Sequence, residues 1–177
     1  GMNDQVNMRR FGALRTAMKV TWITFAFGWL AILGVPPFSG FFSKDKIIEA
    51  AFGATTFAGH EAVWAGWVFG IVTMVGAFYM SRLFFMTFHG TARWTTEAEG
   101  SGVHPHESSP LMTVPMIILA IAAAAIGGVL SIGNAFTTWL QPSLGEVEHA
   151  HPVAPEIAIQ VVTLLLVLAG AGLAWMM

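Results

Sequence analysis

Apolar residues in this chain come in long, nearly unbroken runs, without the polar residue every second or third position that marks a half-solvated helix or strand. Five runs stand out, at about 17–35, 36–58, 62–88, 110–132 and 154–177. A helix needs roughly 20 apolar residues to cross a hydrocarbon core about 30 Å thick. The pattern therefore predicts an all-α, polytopic transmembrane helical bundle of about five spans in a single unit. Two polar stretches, 89–109 and 133–153, carry Gly, Ser and Pro and read as loops. The run 62–88 would extend about 40 Å at 1.5 Å per residue, so it must tilt or project into water. Trp64 and Trp67 mark its near interface, and Arg82 lies toward the far one, where its stem can snorkel. The run 110–132 holds the small-residue segment Ala120 to Gly128, which suits close packing against protein.

The second run is interrupted. Gly34-Val-Pro-Pro-Phe-Ser-Gly40 leads into Phe-Phe-Ser-Lys-Asp-Lys-Ile-Ile-Glu49, with four ionisable side chains, Lys44, Asp45, Lys46 and Glu49, between apolar flanks. Pro can start a helix but not continue one, so Pro36, Pro37 and Gly40 mark a helix break and make this span discontinuous. A charge at the bilayer centre costs about 2.5–3.5 kcal/mol on insertion scales. Broken helices with polar groups beside the break are a recurrent way of building ion sites in transporters.

Composition agrees with the pattern. The 177 residues are 55% hydrophobic and 10% charged, against about 25% charged in soluble domains. Mean hydropathy is +0.68. Net charge is −2 with no basic tract, which argues against nucleic acid as a partner. With no cysteine, disulfides and thiolate metal sites are excluded. Seven Trp and 14 Phe suit lipid contact and interfacial anchoring. The N-terminus lacks the pattern of a signal peptide, and the C-terminus stops within an apolar run, so a piece of a larger protein is expected.

Helical spacing distinguishes the four ionisable residues. Asp45 and Glu49 are four apart and share a face, and Lys46 can pair with Glu49 three residues on. Lys44 stacks instead with Gly40 and Ile48 and is left without a local partner. Burial disfavours its charged form, which suits it to gain and lose a proton. Lys44 is thus the candidate proton relay, with Asp45 beside it and Glu49 secondary. The plainer alternative is a short solvent loop between two full spans. His104-Pro-His106-Glu107 and Glu146-Val-Glu148-His149-Ala-His151 resemble metal-binding spacings. Joined by one span, they fall on opposite faces, and neither alone makes a tetrahedral set; they read as solvated loop residues, with no metal site. His60 and His89 cap the two ends of the third run, and His89, two turns from Arg82, is a possible interfacial group. Glu61 and Glu156 suit helix N-termini, where the dipole favours a carboxylate.

Met2 to Leu14, Gly34 to Ile47, Phe88-His-Gly90 and His104 to Pro110 together resemble the distal antiporter-like subunit, subunit L, of bacterial NADH–quinone oxidoreductase, respiratory complex I. The resemblance runs over nearly all of the chain and implies its eleventh to fifteenth helices. It implies that the discontinuous helix carries a proton-path lysine at Lys44, with Asp45 adjacent. It implies no cofactor in this chain, with NADH, flavin, iron–sulfur clusters and quinone held by other subunits. Partners would be other membrane-arm subunits, above all the neighbouring antiporter-like subunit, together with lipid and protons. Localisation would be the bacterial plasma membrane, multi-pass. The fragment alone is not expected to pump. A subunit of a multisubunit cation/proton antiporter is the nearest alternative, and a structural membrane scaffold is the alternative of another class. On orientation two readings conflict. Arg9, Arg10, Arg15 and Lys19 precede the first span, against Arg82 and Arg93 near the 89–109 loop, so the positive-inside rule puts the N-terminus in the cytoplasm. The family topology implies the reverse, with 89–109 cytoplasmic.

Overall fold

The computed structural model describes residues 2, 6–53, 63–94, 104–144 and 155–177. Regular structure among the described residues is entirely helical: α1 (Lys19–Leu33), α2 (Ser39–Gly53), α3 (Val63–Phe88), α4 (Pro110–Ser131), α5 (Ala135–Leu144) and α6 (Glu156–Met176), with 3-10 turns at Met8–Arg10 and Ile132–Asn134. Three of these, α3, α4 and α6, are long and apolar enough to cross a membrane unaided. α1 and α2 have 15 residues each, about 22 Å at 1.5 Å per residue, and fall short of a hydrocarbon core.

Their neighbours show how these two short helices are used. At its start α1 packs on the end of α3, where Leu14, Met18, Phe84 and Phe88 form a buried cluster ringed by Trp22, Phe25 and Trp29. At its end Leu33 meets Ala77 and Val167, in the middle of α3 and α6. α2 then continues toward the start of α3: Phe52 packs edge-on against Trp67 with ring centroids 5.9 Å apart. Ile48, Phe52, Gly66 and Ile159 line one recess there. α1 and α2 therefore run in the same direction, one after the other, antiparallel to α3. Together their 30 residues run alongside the 26 of α3, which is about 39 Å long.

The stretches expected at 17–35 and 36–58 thus fold as two halves of one crossing. The discontinuity falls at the turn Gly34–Phe38 between the halves, while α2 runs unbroken through Gly40, Ser43 and Lys44. The physical reason is length: a 15-residue apolar helix of about 22 Å ends in a Gly-Pro-Pro turn before it can cross a core about 30 Å thick. The stretch 133–153, expected as a loop, contains α5. Gly133, at φ 64°, turns the chain out of α4, and Phe136 and Trp139 lie exposed on α5. His60 and Glu61, and the group Glu146, Glu148, His149 and His151, lie outside the described residues.

One consequence is topological. The N-terminal segment is tied to the end of α3 by backbone bonds from Gly12 N–H to Thr87 (3.2 Å), Ala13 N–H to His89 (3.3 Å) and Arg15 N–H to Phe88 (3.4 Å). Trp94 Nε1–H donates to the Gly12 carbonyl at 2.9 Å. The start of α1, the end of α3 and the start of α4 therefore share one face of the bundle. The end of α6 joins them, with Trp175 packed edge-on against Phe85 at 4.8 Å.

Candidate functional site

The site is built around the junction of α1 and α2. Gly34 ends α1 in the left-handed conformation (φ 76°), and its N–H reaches the carbonyls of Leu30 and Ala31, both at 3.1 Å. A left-handed residue at this position is the usual way a helix stops, and glycine adopts it without a Cβ penalty. Val35 N–H adds a bond to the Leu30 carbonyl at 3.2 Å. Backbone donors thus serve Leu30 and Ala31 among the last four carbonyls, which have no partners within the helix.

The Ile32 carbonyl is served differently. Lys44, one turn into α2, turns its side chain back across the break and its Nζ donates to the Ile32 oxygen. The half-buried lysine thereby places a cation at the negative end of the α1 dipole. Two glycines make room for it. A Cβ on Gly40 would lie 1.7 Å from the Ala31 carbonyl oxygen, and one on Gly34 would lie 3.3 Å from Lys44 Cδ. From the other side α4 closes on the same turn: a Cβ on Gly127 would fall 2.4 Å from Ser39 Cα. The close approach expected of the small-residue segment 120–128 occurs here, while Leu119, Ile121 and Val129 on α4 remain exposed.

Helical spacing had left Lys44 without a partner on its own helix. Its partner is a carbonyl twelve residues back, on the preceding half-helix. Pro36 and Pro37 sit in the connecting turn, and Gly40 is the point of closest approach. Asp45 and Glu49 lie on α2, but their side chains fall outside the described part of the structure, as does the pairing of Lys46 with Glu49. Arg82 is one and a half turns from the end of α3, with Nη1 4.0 Å from Met177 Sδ. His89 follows α3 directly, its ring packed among Trp22, Phe84 and Phe85 with centroids 6.3, 5.3 and 6.0 Å away. Burial, with Arg15 nearby, holds the His89 imidazole below its usual pKa. The structure does not bring Arg82 or His89 to the α1–α2 junction.

Glu107 is the residue the sequence reading missed, having been grouped with solvated loop positions. Its carboxylate accepts from Val20 N–H (2.7 Å), Thr21 N–H (3.4 Å) and the Thr21 hydroxyl (2.6 Å). It also accepts from Ser108 N–H at 3.3 Å. Burial pushes the carboxyl up, but these bonds, led by the Thr21 hydroxyl, outweigh it and hold it below the usual range. Glu107 thus caps the N-terminus of α1 from the α3–α4 connection. A signal was present in the sequence: α1 opens after Met18, with no acidic residue in its first turn and no side-chain cap of its own. Uncapped donors at the start of a helix call for an acceptor from elsewhere.

Comparison with known proteins fits this geometry. Residues 1–70, which contain both half-helices and Lys44, match a family model described as NADH:quinone oxidoreductase/Mrp antiporter, TM. The chain is 44% identical over 176 residues to NADH-quinone oxidoreductase subunit L of Mycobacterium tuberculosis, covering 99% of this chain and 26% of that protein. To subunit L of Neisseria meningitidis it is 39% identical over 140 residues, 72% of this chain and 20% of that protein. To NAD(P)H-quinone oxidoreductase chain 5 of a Picosynechococcus species it is 40% identical over 137 residues, 68% of this chain and 19% of that protein. The chain spans about a quarter or less of the length of these curated relatives. With a lysine turned back over a broken helix pair, and matched over 99% of its length to one subunit L and over 72% to another, the chain belongs to the subunit L family of antiporter-like NADH–quinone oxidoreductase membrane subunits.

Proposed function

We propose that this chain supplies part of a proton path in the membrane arm of a proton-pumping NADH–quinone oxidoreductase, with Lys44 as the proton-exchanging group. The observation that carries the reading is the bond from Lys44 Nζ to the Ile32 carbonyl across the helix break. That contact favours the ammonium twice, through a charge-assisted hydrogen bond and through the negative end of the α1 dipole. A neutral amine loses both attractions. Gain and loss of the proton at Nζ is thereby coupled to whether the two half-helices are clasped. Asp45, the next residue in sequence, is the proposed electrostatic tuner of the exchange, and Glu49 is a secondary candidate.

The chain itself carries out no redox step in this reading. NADH, flavin, iron–sulfur clusters and quinone belong to other subunits, and the neighbouring antiporter-like subunit is the proposed partner along the arm. The setting is a bacterial plasma membrane, crossed several times. The end-to-end arrangement of α1 and α2 also bears on orientation. Because α1 and α2 make a single crossing, Arg9, Arg10, Arg15 and Lys19 lie on the same face as Arg93 and the start of α4. The α2–α3 and α4–α6 connections, 54–62 and 132–155, contain neither Lys nor Arg. The positive-inside rule then favours a cytoplasmic position for that shared face, which agrees with the cytoplasmic 89–109 loop of the family topology and not with its placement of the N-terminus.

The test is NADH-driven acidification in membrane vesicles carrying the full-length subunit as Lys44→Ala or Lys44→Arg. Loss of protons moved per electron in both variants, with the complex intact, is the expected result. Unchanged pumping per electron in Lys44→Ala would sink the relay and leave the scaffold reading. Survival in Arg with loss in Ala would mean that fixed charge suffices, since Arg stays protonated. Cation transport independent of NADH would favour the antiporter alternative.

A further inference from the structure

α1 is held at both ends by charged side chains that belong to other elements. Glu107 meets Val20 and Thr21 at its N-terminus, and Lys44 meets Ile32 at its C-terminus. Between these contacts the helix is regular, from Lys19 to Leu33. A helix is stiff along its axis, so a grip on its first turn fixes where its last carbonyls stand. The face carrying Thr24, Gly28 and Ile32 borders an open recess toward α4, and a Cβ on Gly28 would meet nothing within 4 Å. Side-chain packing along that face does little to hold α1 against axial sliding; the opposite face is anchored to α3, where Trp29 Nε1–H donates to Ser81 Oγ at 3.0 Å.

We infer that Glu107 is a positioning residue for proton exchange at Lys44, acting through α1 by fixing the height at which the Ile32 carbonyl is presented across the helix break. The inference rests on the reading of Lys44 as the exchanging group. Its physical content is a division of labour. The carboxylate grips several donors at once and does not let go during a cycle, so release of Lys44 from Ile32 leaves the acceptor in place for its return. Without the grip, the end of α1 is held only by its own packing, Leu33 on Ala77 and Val167 and Ala31 against Gly40, and the clasp closes on fewer cycles.

The experiment uses the whole complex in vesicles and reads protons moved per electron, normalised to the assembled enzyme. The variants are Glu107→Ala, Glu107→Gln, Lys44→Ala and the Glu107→Ala/Lys44→Ala double. Glu107→Ala is expected to lower the ratio about twofold or more, the loss of a cap being of the order of a factor of ten in an equilibrium. Glu107→Gln, which keeps an acceptor oxygen of the same reach, is expected to recover part of it. In the double variant Glu107→Ala should add no loss beyond that of Lys44→Ala. A merely structural cap would reduce the amount of assembled complex and leave the ratio unchanged. That result, with Lys44→Ala still impaired, overturns the inference while leaving the relay standing, and so does an additive loss in the double variant. If Lys44→Ala itself keeps the full ratio, the relay fails and this inference with it. Should Glu107→Ala not assemble, Glu107→Gln alone decides: a ratio between wild type and Lys44→Ala supports positioning, and a wild-type ratio overturns it.

Discussion

At its N-terminus α1 receives a carboxylate from 86 to 87 residues away, and two backbone N–H groups and one hydroxyl converge on it. At its C-terminus it receives an ammonium from twelve residues away, through one contact at the end of a four-carbon stem. Both devices complement the helix dipole, with the anion at the positive end and the cation at the negative end. Their permanence differs. Several converging donors hold Glu107 ionised across the physiological range, whereas Lys44 can withdraw by rotating its side chain or by losing its proton. In the proposed reading, a helix that presents one removable contact is secured at the opposite end by a contact that stays.

The comparison breaks most readily at Gly40. With 1.7 Å between a Cβ there and the Ala31 carbonyl oxygen, Gly40→Val must force the two half-helices apart. Overpacking of this kind costs about 1–3 kcal/mol or more. The expected outcome is little assembled subunit in the membrane and no subunit-dependent acidification. Normal assembly would mean that the halves are not in contact at this turn.

Next in size is the N-terminal end. Removal of the cap in Glu107→Ala should cost about 0.5–2 kcal/mol and expose the first turn of α1. Amide hydrogen exchange should then quicken at Val20 and Thr21, while the amides of Gly34 and Val35, held by backbone carbonyls, keep their protection. Equal loosening at both ends would show that α1 frays as a unit and would remove the distinction between them.

Acid provides a gentler probe of the same end. Because the folded-state pKa of Glu107 is lowered, its stabilisation is complete above the ordinary carboxylate value of 4.5. It is lost as pH falls through the folded-state value. Protection of Val20 and Thr21, corrected for intrinsic exchange, should therefore stay flat from pH 8 to 6 (roughly the range over which carboxylates remain ionised) and fall only in stronger acid. Glu107→Gln should remove that acid-dependent step, and a step that persists would assign it to another group.

The smallest effect belongs to His89, which packs near the Glu107 end. Its pKa is lowered by burial and by Arg15, so the folded state favours neutral imidazole. The stability it contributes is present above its ordinary value of 6.5 and is lost as pH falls from there through the folded-state value. Titration of the His89 ring by NMR should give a midpoint below the ordinary value of 6.5. A midpoint at or above the ordinary value would show that the ring is solvated.

The sequence was a good guide to whatever is local. Apolar runs fix that helices form and that they belong in lipid, because backbone groups there must be satisfied within the segment. Gly34 and the Pro-Pro pair fix that a helix stops, and spacing along α2 singles out Lys44 from Lys46. What spacing could not supply was the second member of each contact. The Ile32 carbonyl is a backbone atom with no signature, and Glu107 stands in a polar stretch where a carboxylate looks solvated. Run length misled for a related reason. A 15-residue apolar helix serves equally as a short span or as half of one, and no residue within it says which.

By itself, then, the sequence determined the class of molecule, the break and the lysine beside it, since each follows from side-chain chemistry within a few turns of helix. Tertiary structure decided that α1 and α2 share one crossing, that the basic segments gather on one face, and that the two ends of α1 are closed by Glu107 and Lys44. Those outcomes depend on which surfaces meet across tens of residues, and such meetings are set by packing, which leaves no periodicity along the chain.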